Sequence, residues 1–305
     1  MIDAAATPTA AWPAAAGAPG AATDVDVTRF IRGTTQVYPV FGSPIAQVKA
    51  PMLYNALFAR TGADAVVVPI EVGAAEFPAL VKALFRARNV PGAFVTIPHK
   101  PAAAELVDDA SAAVRIAGAC NAIVRRPDGS LYGELFDGIG LVRAVERTGF
   151  AVAGAQCLVV GAGGAGAAIA AALAAAGAAR VRLADTRALH AQALSARLQA
   201  HYPAGVVEAG PAQLAGFDLV VNATPLGMEA ADPPPVDTGE IAPAMLVAEI
   251  VMKREITPLL DAARARGCRT VLGREMLREQ MPLYLEFFGL PLAPGATGPD
   301  GRVPA

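Results

Sequence analysis

The sequence predicts an α/β fold built in two halves, and two observations carry that prediction. Short apolar runs rich in valine and isoleucine alternate with segments of helical periodicity, the pattern of βαβ units and a largely parallel sheet. A cluster of glycines at 161–166 also sits between a strand-like run and a helix-like run. The chain has 305 residues, enough for two domains.

In the first half TTQVYPVFG reads as a strand, APMLYNALFARTG as a helix, DAVVVPIEV as a strand and FPALVKALFRARN as a second helix. GAFVTI is a third strand, and helical signals fill 102–117. In NAIVRRPDGSLYGELF, Pro-Asp-Gly-Ser between two strand-like runs marks a hairpin turn. A helix over about 139–147 leads into the second half, where QCLVVGAGGAG is a strand entering a glycine turn. AAIAAALAAAG is then a helix closed by Gly177. RVRLAD, FDLVVNATPLG, MLVAEIVM and TVLG read as further strands. The helices among them are ALHAQALSARLQAHY, TPLLDAARARG and the amphipathic REMLREQMPLYLEFFG. Met276, Leu277, Leu283 and Leu285 of that last helix read as core.

Composition narrows the function classes. With 54% hydrophobic and 17% charged residues the chain is globular, and a net charge of −2 offers nothing to a nucleic acid or an anionic membrane. Cys120, Cys157 and Cys268 are odd in number and far apart, the pattern of reduced thiols in a cytosolic protein. Residues 148–179 carry no charge, but they are mostly alanine and glycine and lack the leucine and isoleucine that drive membrane insertion. The start of the chain has neither the charged start and apolar core of a secretory signal nor the arginines of a transit peptide. Residues 1–33, which include Trp12, read as a disordered Ala/Pro-rich tail and 291–305 as a flexible one.

Gly161, Ala162, Gly163, Gly164, Ala165 and Gly166 fit the dinucleotide fingerprint in its full context: a strand before, a helix after, and Asp185 ending the next strand. Glycines permit the tight turn and the close approach of backbone to pyrophosphate, while the helix N-terminus attracts the anion. Asp185 would accept hydrogen bonds from the adenosine ribose and repel a 2′-phosphate, which favours NAD over NADP. Arg187, two residues on, is placed to reverse that preference.

Lys100 ends the apolar run GAFVTIPHK, and lysine is almost never buried unless paired. Asp137 in ELFDGIG, at the junction of the halves, is the candidate partner, and Asn121 in GACNAIV offers both a donor and an acceptor. The competing account is that Lys100 caps a strand in solvent while Asp137 caps the helix beginning at Gly138. His99, beside the lysine, is not read as a ligand or relay, and His190 and His201 lie on a charged helix facing solvent.

The blocks GSPIAQVKAP, GAFVTIPHK, GACNAIV, GELFDGIG, VVGAGGAG, NATPLGM and GREMLREQ occur in the order and spacing of the shikimate dehydrogenase family, which the chain resembles over about 36–290. The resemblance implies an N-terminal α/β substrate domain (34–137, completed by 274–290) and a C-terminal Rossmann-type dinucleotide-binding domain (138–273), with a cleft between them. It implies that Lys100 and Asp137 are the catalytic pair and that Thr96, Asn121 and Gln280 touch substrate. It puts Asn222, Ala223, Thr224, Ile250 and Gly273 beside the cofactor. The implied reaction is reversible hydride transfer between NAD or NADP and a shikimate-like cyclic hydroxy acid. A role in the shikimate pathway of a cytoplasmic monomer or homodimer goes with it.

The sequence departs from the family around the substrate. The family grips a substrate carboxylate with two serines in a motif like His-Ser-Lys-Ser-Pro; here Gln47, Val48, Lys49, Ala50 and Pro51 stand in that stretch. Phe94 replaces an asparagine, Leu135 and Phe136 replace Asn-Thr, and Met252 replaces a tyrosine. All these changes remove polar contacts, and Lys49 is a candidate to hold the acid instead. The NADP-type Asn-Arg-Thr is replaced by Asp185-Thr186-Arg187, in keeping with NAD. A quinate or aminoshikimate dehydrogenase, and a non-catalytic nucleotide- or metabolite-binding sensor with this fold, are the alternatives.

Overall fold

The computed structural model describes residues 31–291, so Trp12 and most of both terminal tails lie outside the described residues. In the first half the elements run β1 (Gln36–Gly42), α1 (Ala50–Thr61), β2 (Ala65–Glu71), α2 (Phe77–Leu84), β3 (Gly92–Val95), α3 (Lys100–Leu106), β4 (Asp109–Ala110), α4 (Ala112–Ala117), β5 (Ala122–Arg125) and β6 (Leu131–Glu134). Then come α5 (Asp137–Glu146), β7 (Gln156–Val160), α6 (Gly164–Ala175), β8 (Arg180–Ala184), α7 (Ala188–His201), β9 (Val206–Ala209), β10 (Leu219–Asn222), β11 (Leu246–Glu249), α8 (Pro258–Ala265), β12 (Arg269–Val271) and α9 (Gly273–Phe287).

The strands form two six-stranded sheets. The second has the order β12-β11-β10-β7-β8-β9 and every neighbouring pair in it is parallel. Its strand order reverses between β7 and β10, the switch point at which open α/β sheets place a ligand. The first sheet, β2-β1-β3-β5-β6-β4, is mixed rather than largely parallel. The Pro-Asp-Gly-Ser turn folds 122–134 into the antiparallel β5–β6 hairpin, and β5 also pairs antiparallel with β3. The helical region expected over 102–117 divides into α3, the short β4 and α4, with the Ser111 hydroxyl accepting from Val114 N at 3.3 Å to start α4.

The uncharged stretch at 148–179 holds β7 and α6, and no helix among the described residues is long and apolar enough to cross a membrane. Nearly every residue of α6 is alanine or glycine, and one side packs on the sheet while α4, α5 and α7 cover the rest. Small side chains let those neighbours come close. Gly138 in α5 shows how close: a Cβ there would stand 2.0 Å from Ala168 O. On its other side α5 meets α9, and a Cβ at Gly140 would fall 2.6 Å from Gln280 Cγ. The DGIG block is therefore a packing motif as well as the carrier of an aspartate.

An aromatic cluster fastens α9 to the first sheet. Phe94 on β3 lies 4.7 Å from Tyr54, 4.6 Å from Tyr284 and 5.1 Å from Phe288, and Phe136 lies 4.8 Å from Tyr284. Burying each such ring is worth roughly 1.5–3 kcal/mol. Leu135 and Phe136 are buried in these cores, so their departure from the family pattern alters packing and not the surface of the site.

In the second half Glu249, at the end of β11, is 0% exposed. Its Oε2 accepts from the Thr257 hydroxyl at 2.7 Å, whereas Oε1 has no partner among the described residues. Burial raises this carboxyl above its ordinary value, with the Thr257 hydroxyl opposing the shift. A folded-state pKa raised above the unfolded value of about 4.3 gives stability that is complete below that pH and is lost as pH rises through the folded value. Glu249→Gln, which cannot ionise, should therefore gain stability relative to the wild type as pH is raised from about 4 to 8. Paired urea midpoints across that range check this; a gain by the wild type instead would mean that the carboxylate is ionised and compensated.

Candidate active site

Lys100 is the first residue of α3 and Asp137 the first of α5, so each side chain is launched from a helix start into the space between the two sheets. Lys100 Nζ donates to Asp137 Oδ2 in an ion pair whose side chains are only 16% and 8% exposed. Asp137 Oδ1 accepts from Asn121 Nδ2 at 3.0 Å and from Gln280 Nε2 at 3.3 Å. Asn121 in turn accepts from Phe136 N at 3.0 Å through Oδ1, which holds its amide in one orientation. The Tyr284 hydroxyl donates to Asn121 O at 3.2 Å. The solvent-capping account of these two residues thus fails. Lys100 is paired and mostly covered, and the N-cap of α5 is Phe136, with no side-chain cap.

These groups line a cavity of about 120 Å³. Thr96, Lys100, Asn121, Asp137 and Gln280 all border it, so every residue expected to touch substrate is brought together there. The rest of its wall is largely apolar: Val48, Ala50, Phe94 and Met252 face it, and so do Met276 and Leu277 of α9. The last two were expected to be core alone. Of the residues that depart from the family pattern, Val48, Ala50, Phe94 and Met252 border the cavity, whereas Leu135 and Phe136 do not. Tyr54 and Tyr284 also border it and went unnoticed in the sequence, although each lies four residues after a site position, Ala50 or Gln280, on the same helix face.

His99 is 1% exposed, stacks on Phe77 at 4.4 Å and places Nε2 2.9 Å from Val72 O. It is a core residue. Cys120 is also sealed in, and burial pushes its thiol up to about 12, so it supplies no thiolate beside the lysine.

The glycine turn sits at the switch point of the second sheet. Gly161 has φ +100°, open to glycine without strain, and a Cβ at Gly166 would stand 1.9 Å from Gly161 O. Gly163 differs: nothing lies within 4 Å of where its Cβ would be, and as the N-cap of α6 it has no side-chain cap. The uncapped N-terminus of α6, with open space at Gly163, suits a pyrophosphate, so the residues fit the dinucleotide that the fingerprint implies. Asp185 Oδ2 accepts from Ala162 N at 2.7 Å and Oδ1 from Arg187 N at 2.8 Å. Burial alone would raise this carboxyl, but those N–H groups and the Arg187 side chain hold it below its ordinary value.

The remaining cofactor-side residues form one edge of the same crevice. Asn222 is 0% exposed: Oδ1 accepts from Thr224 N at 3.0 Å and from the Thr224 hydroxyl at 2.6 Å, and Nδ2 donates to Leu226 O at 2.9 Å. It shapes the loop, leaving Ala223 and Thr224 as its partly exposed surface. Ala223 abuts Gly161, and Ile250 N donates to Asn222 O at 3.2 Å. A Cβ at Gly273 would lie 2.8 Å from Ile250 O. Two residues beyond Ile250, Met252 reaches the cavity, and Gly164 lies against Ala119, two residues before Asn121.

Comparison with known proteins places this geometry. Residues 40–123 match the family model described as the shikimate dehydrogenase substrate binding domain. The chain is 38% identical over 258 residues to a shikimate dehydrogenase (NADP(+)) of Rubrobacter xylanophilus, covering 82% of this chain and 89% of that protein. Among solved structures it is similar to the shikimate 5-dehydrogenase of Listeria monocytogenes in complex with shikimate and NAD (TM-score 0.79, 27% identity, 85% of this chain and 93% of that one). It is similar also to the 5-ketofructose reductase of a Gluconobacter strain (TM-score 0.77, 29% identity, 83% and 92%). That identity, sustained over four-fifths of the sequence, means that the chain belongs to the shikimate dehydrogenase family, NAD(P)-dependent oxidoreductases acting on a CH–OH group.

Proposed function

We propose that this oxidoreductase interconverts a shikimate-like cyclic hydroxy acid and its ketone, in a cleft between a substrate half (34–137 with 274–290) and a cofactor half (138–273). The observation that carries the reading is the convergence of Lys100, Asn121 and Gln280 on the one carboxylate of Asp137, at the wall of a small cavity.

The nicotinamide of the bound dinucleotide supplies or takes the hydride. The chain's own residues manage the oxygen. As a ketone becomes an alcohol, negative charge grows on oxygen, and the Lys100 ammonium stabilises that charge and delivers the proton. Asp137 orients the ammonium and offers its remaining lone pairs to an adjacent substrate hydroxyl, while Asn121 and Gln280 keep the carboxylate from turning. Thr96 adds a hydroxyl to the same wall. Buried, apolar Phe94 keeps water from its part of the wall, which strengthens the contacts beside it.

We further propose NAD as the preferred dinucleotide, because Asp185, just past the end of β8, would repel a 2′-phosphate and already engages Arg187 at 3.4 Å. A second reading, a substrate without a carboxylate, is favoured by the apolar Val48 and Ala50 in the cavity and by the likeness to a 5-ketofructose reductase.

Three measurements test these statements. Turnover should be seen with shikimate or quinate, and kcat/KM should be at least several-fold higher with NAD than with NADP. Turnover of 5-ketofructose in place of both acids would install the second reading, and a preference for NADP would reverse the cofactor assignment. Lys100→Ala should lose roughly 10²–10⁴-fold in kcat, the scale of one general acid, with dinucleotide affinity unchanged. A near-normal rate would remove the lysine from the chemistry. Val48→Ser combined with Ala50→Ser should lower KM for shikimate roughly 10-fold or more, since each hydrogen bond to a charged group is worth about 1.5–3 kcal/mol. An unchanged KM would mean that this turn does not hold the acid.

A further inference from the structure

Residues 250–256 form a loop that brings a side chain to the cavity from the cofactor half. The loop leaves the end of β11 and stops at Thr257, the N-cap of α8. Met252, its third residue, is 45% exposed and borders the cavity. None of residues 251–256 makes a backbone–backbone hydrogen bond among the described residues, so the loop takes its shape from other contacts.

Three kinds of contact compete for that role. Val251 is buried and Ile256 packs on the core beneath, but apolar burial is non-directional and leaves a backbone free to shift along it. Lys253 pairs with Glu229 of the loop after β10, and Glu255 pairs with Arg274 of α9. All four of those side chains are more than half exposed, and ion pairs in that setting hold little. The third contact differs in kind. Glu249 and Thr257 flank the loop and are 0% and 1% exposed, and the Thr257 hydroxyl donates to Glu249 Oε2 at 2.7 Å. This bond joins the two ends of the loop out of reach of water, where losing one partner strands the other as a buried polar group.

The same hydroxyl accepts from Leu260 N at 3.3 Å, so the loop is tied to the first turn of α8. The neighbouring loop is held separately. Asn222 stands opposite Glu249 in the β10–β11 ladder, yet its amide is committed to Thr224 and Leu226.

We propose that Glu249 is a positioning residue, whose hydrogen bond with Thr257 closes the 250–256 loop at its base and so sets where Met252 meets the substrate. The proposal rests on the reading of the cavity as the seat of a cyclic hydroxy acid. Glu249 touches neither substrate nor dinucleotide and acts through the loop alone.

Glu249→Leu removes the acceptor. It should raise KM for shikimate roughly 10-fold, the scale of one buried hydrogen bond, while the Kd of the dinucleotide stays within about two-fold because the glycine turn is untouched. Glu249→Gln keeps an acceptor for Thr257 and should hold KM within about two-fold of the wild type, as should Lys253→Ala and Glu255→Ala. A second readout needs no turnover. With the methionine methyls labelled with ¹³C, the Met252 resonance, assigned by its loss in Met252→Leu, should shift and broaden in ligand-free Glu249→Leu. It should keep its wild-type position in the other three variants. Should Glu249→Leu fail to fold, Thr257→Val against Thr257→Ser makes the same comparison from the other end of the bond.

The proposal is overturned if the Met252 resonance does not move in Glu249→Leu, if Glu249→Gln disturbs it equally, or if Lys253→Ala or Glu255→Ala disturbs it more. It is overturned too if shikimate is turned over and its KM is unchanged in Glu249→Leu. Those results leave the hydroxy-acid reading standing. A wild type inert toward shikimate and quinate sinks that reading, and the methyl resonance then still decides whether Glu249 sets the loop.

Discussion

A single carboxylate, placed where three helices come together, organises the site. Asp137 opens α5, where the helix start suits its charge, and receives Lys100 from α3, Asn121 from the segment before β5 and Gln280 from α9. None of these groups would hold its position alone. A buried ammonium needs the acid, and the acid needs its second oxygen occupied if it is to point one way. The backbone beneath is equally constrained. Gly138 lets α5 rest on α6 and Gly140 lets it rest on α9, so the acid is set where the helix that follows the glycine turn and α9 both approach α5. A side chain at either glycine would push α5 away from one of them and move the carboxylate with it.

Around this polar knot the cavity is unusually greasy for a family that handles a polyhydroxylated acid. The structure divides the departures into two kinds. Phe136 thickens the aromatic packing that binds α9 to the first sheet, Leu135 belongs to the separate core of Phe41, Phe77 and Ala168, and neither reaches the cavity surface. Val48, Ala50 and Met252 change the surface itself, and Phe94 does both. On the proposed reading, the side chains that would select a substrate lie at the start of α1, at β3 and just past β11, whereas Lys100 and its partners are held from elsewhere. Such a separation lets the two evolve independently.

Much of this was legible in the sequence, because the signals were local. The Gly161–Gly166 turn with its flanking strand and helix is a backbone requirement written in residue types, and Asp185 lay at the expected spacing. The hairpin at 126–131 followed from its turn residues. Other features were invisible because they are set by packing between distant segments. The mixed character of the first sheet depends on which strand β5 joins, and the short β4 and β9 lack any apolar run of their own. Asn222 stands in the block expected beside the cofactor, and nothing in the sequence signalled that its side chain would be hydrogen-bonded within its own loop. Tyr54 and Tyr284 carried a signal, the four-residue spacing from site positions, that becomes meaningful only once both helices are known to face one cavity.

The last helix has a consequence for how the molecule comes into being. Leu283, Tyr284 and Leu285 belong to the same core as Tyr38, Phe58 and Phe94, yet more than 180 residues of chain separate the two groups. A ribosome that has delivered the whole first sheet has still not delivered the aromatic ring that covers it, nor the amide that steadies the acid. The amino-terminal half must wait, with part of its interior uncovered, until the other half has emerged behind it. Part of that half's interior therefore depends on α9, and the candidate site is complete only once α9 is in place.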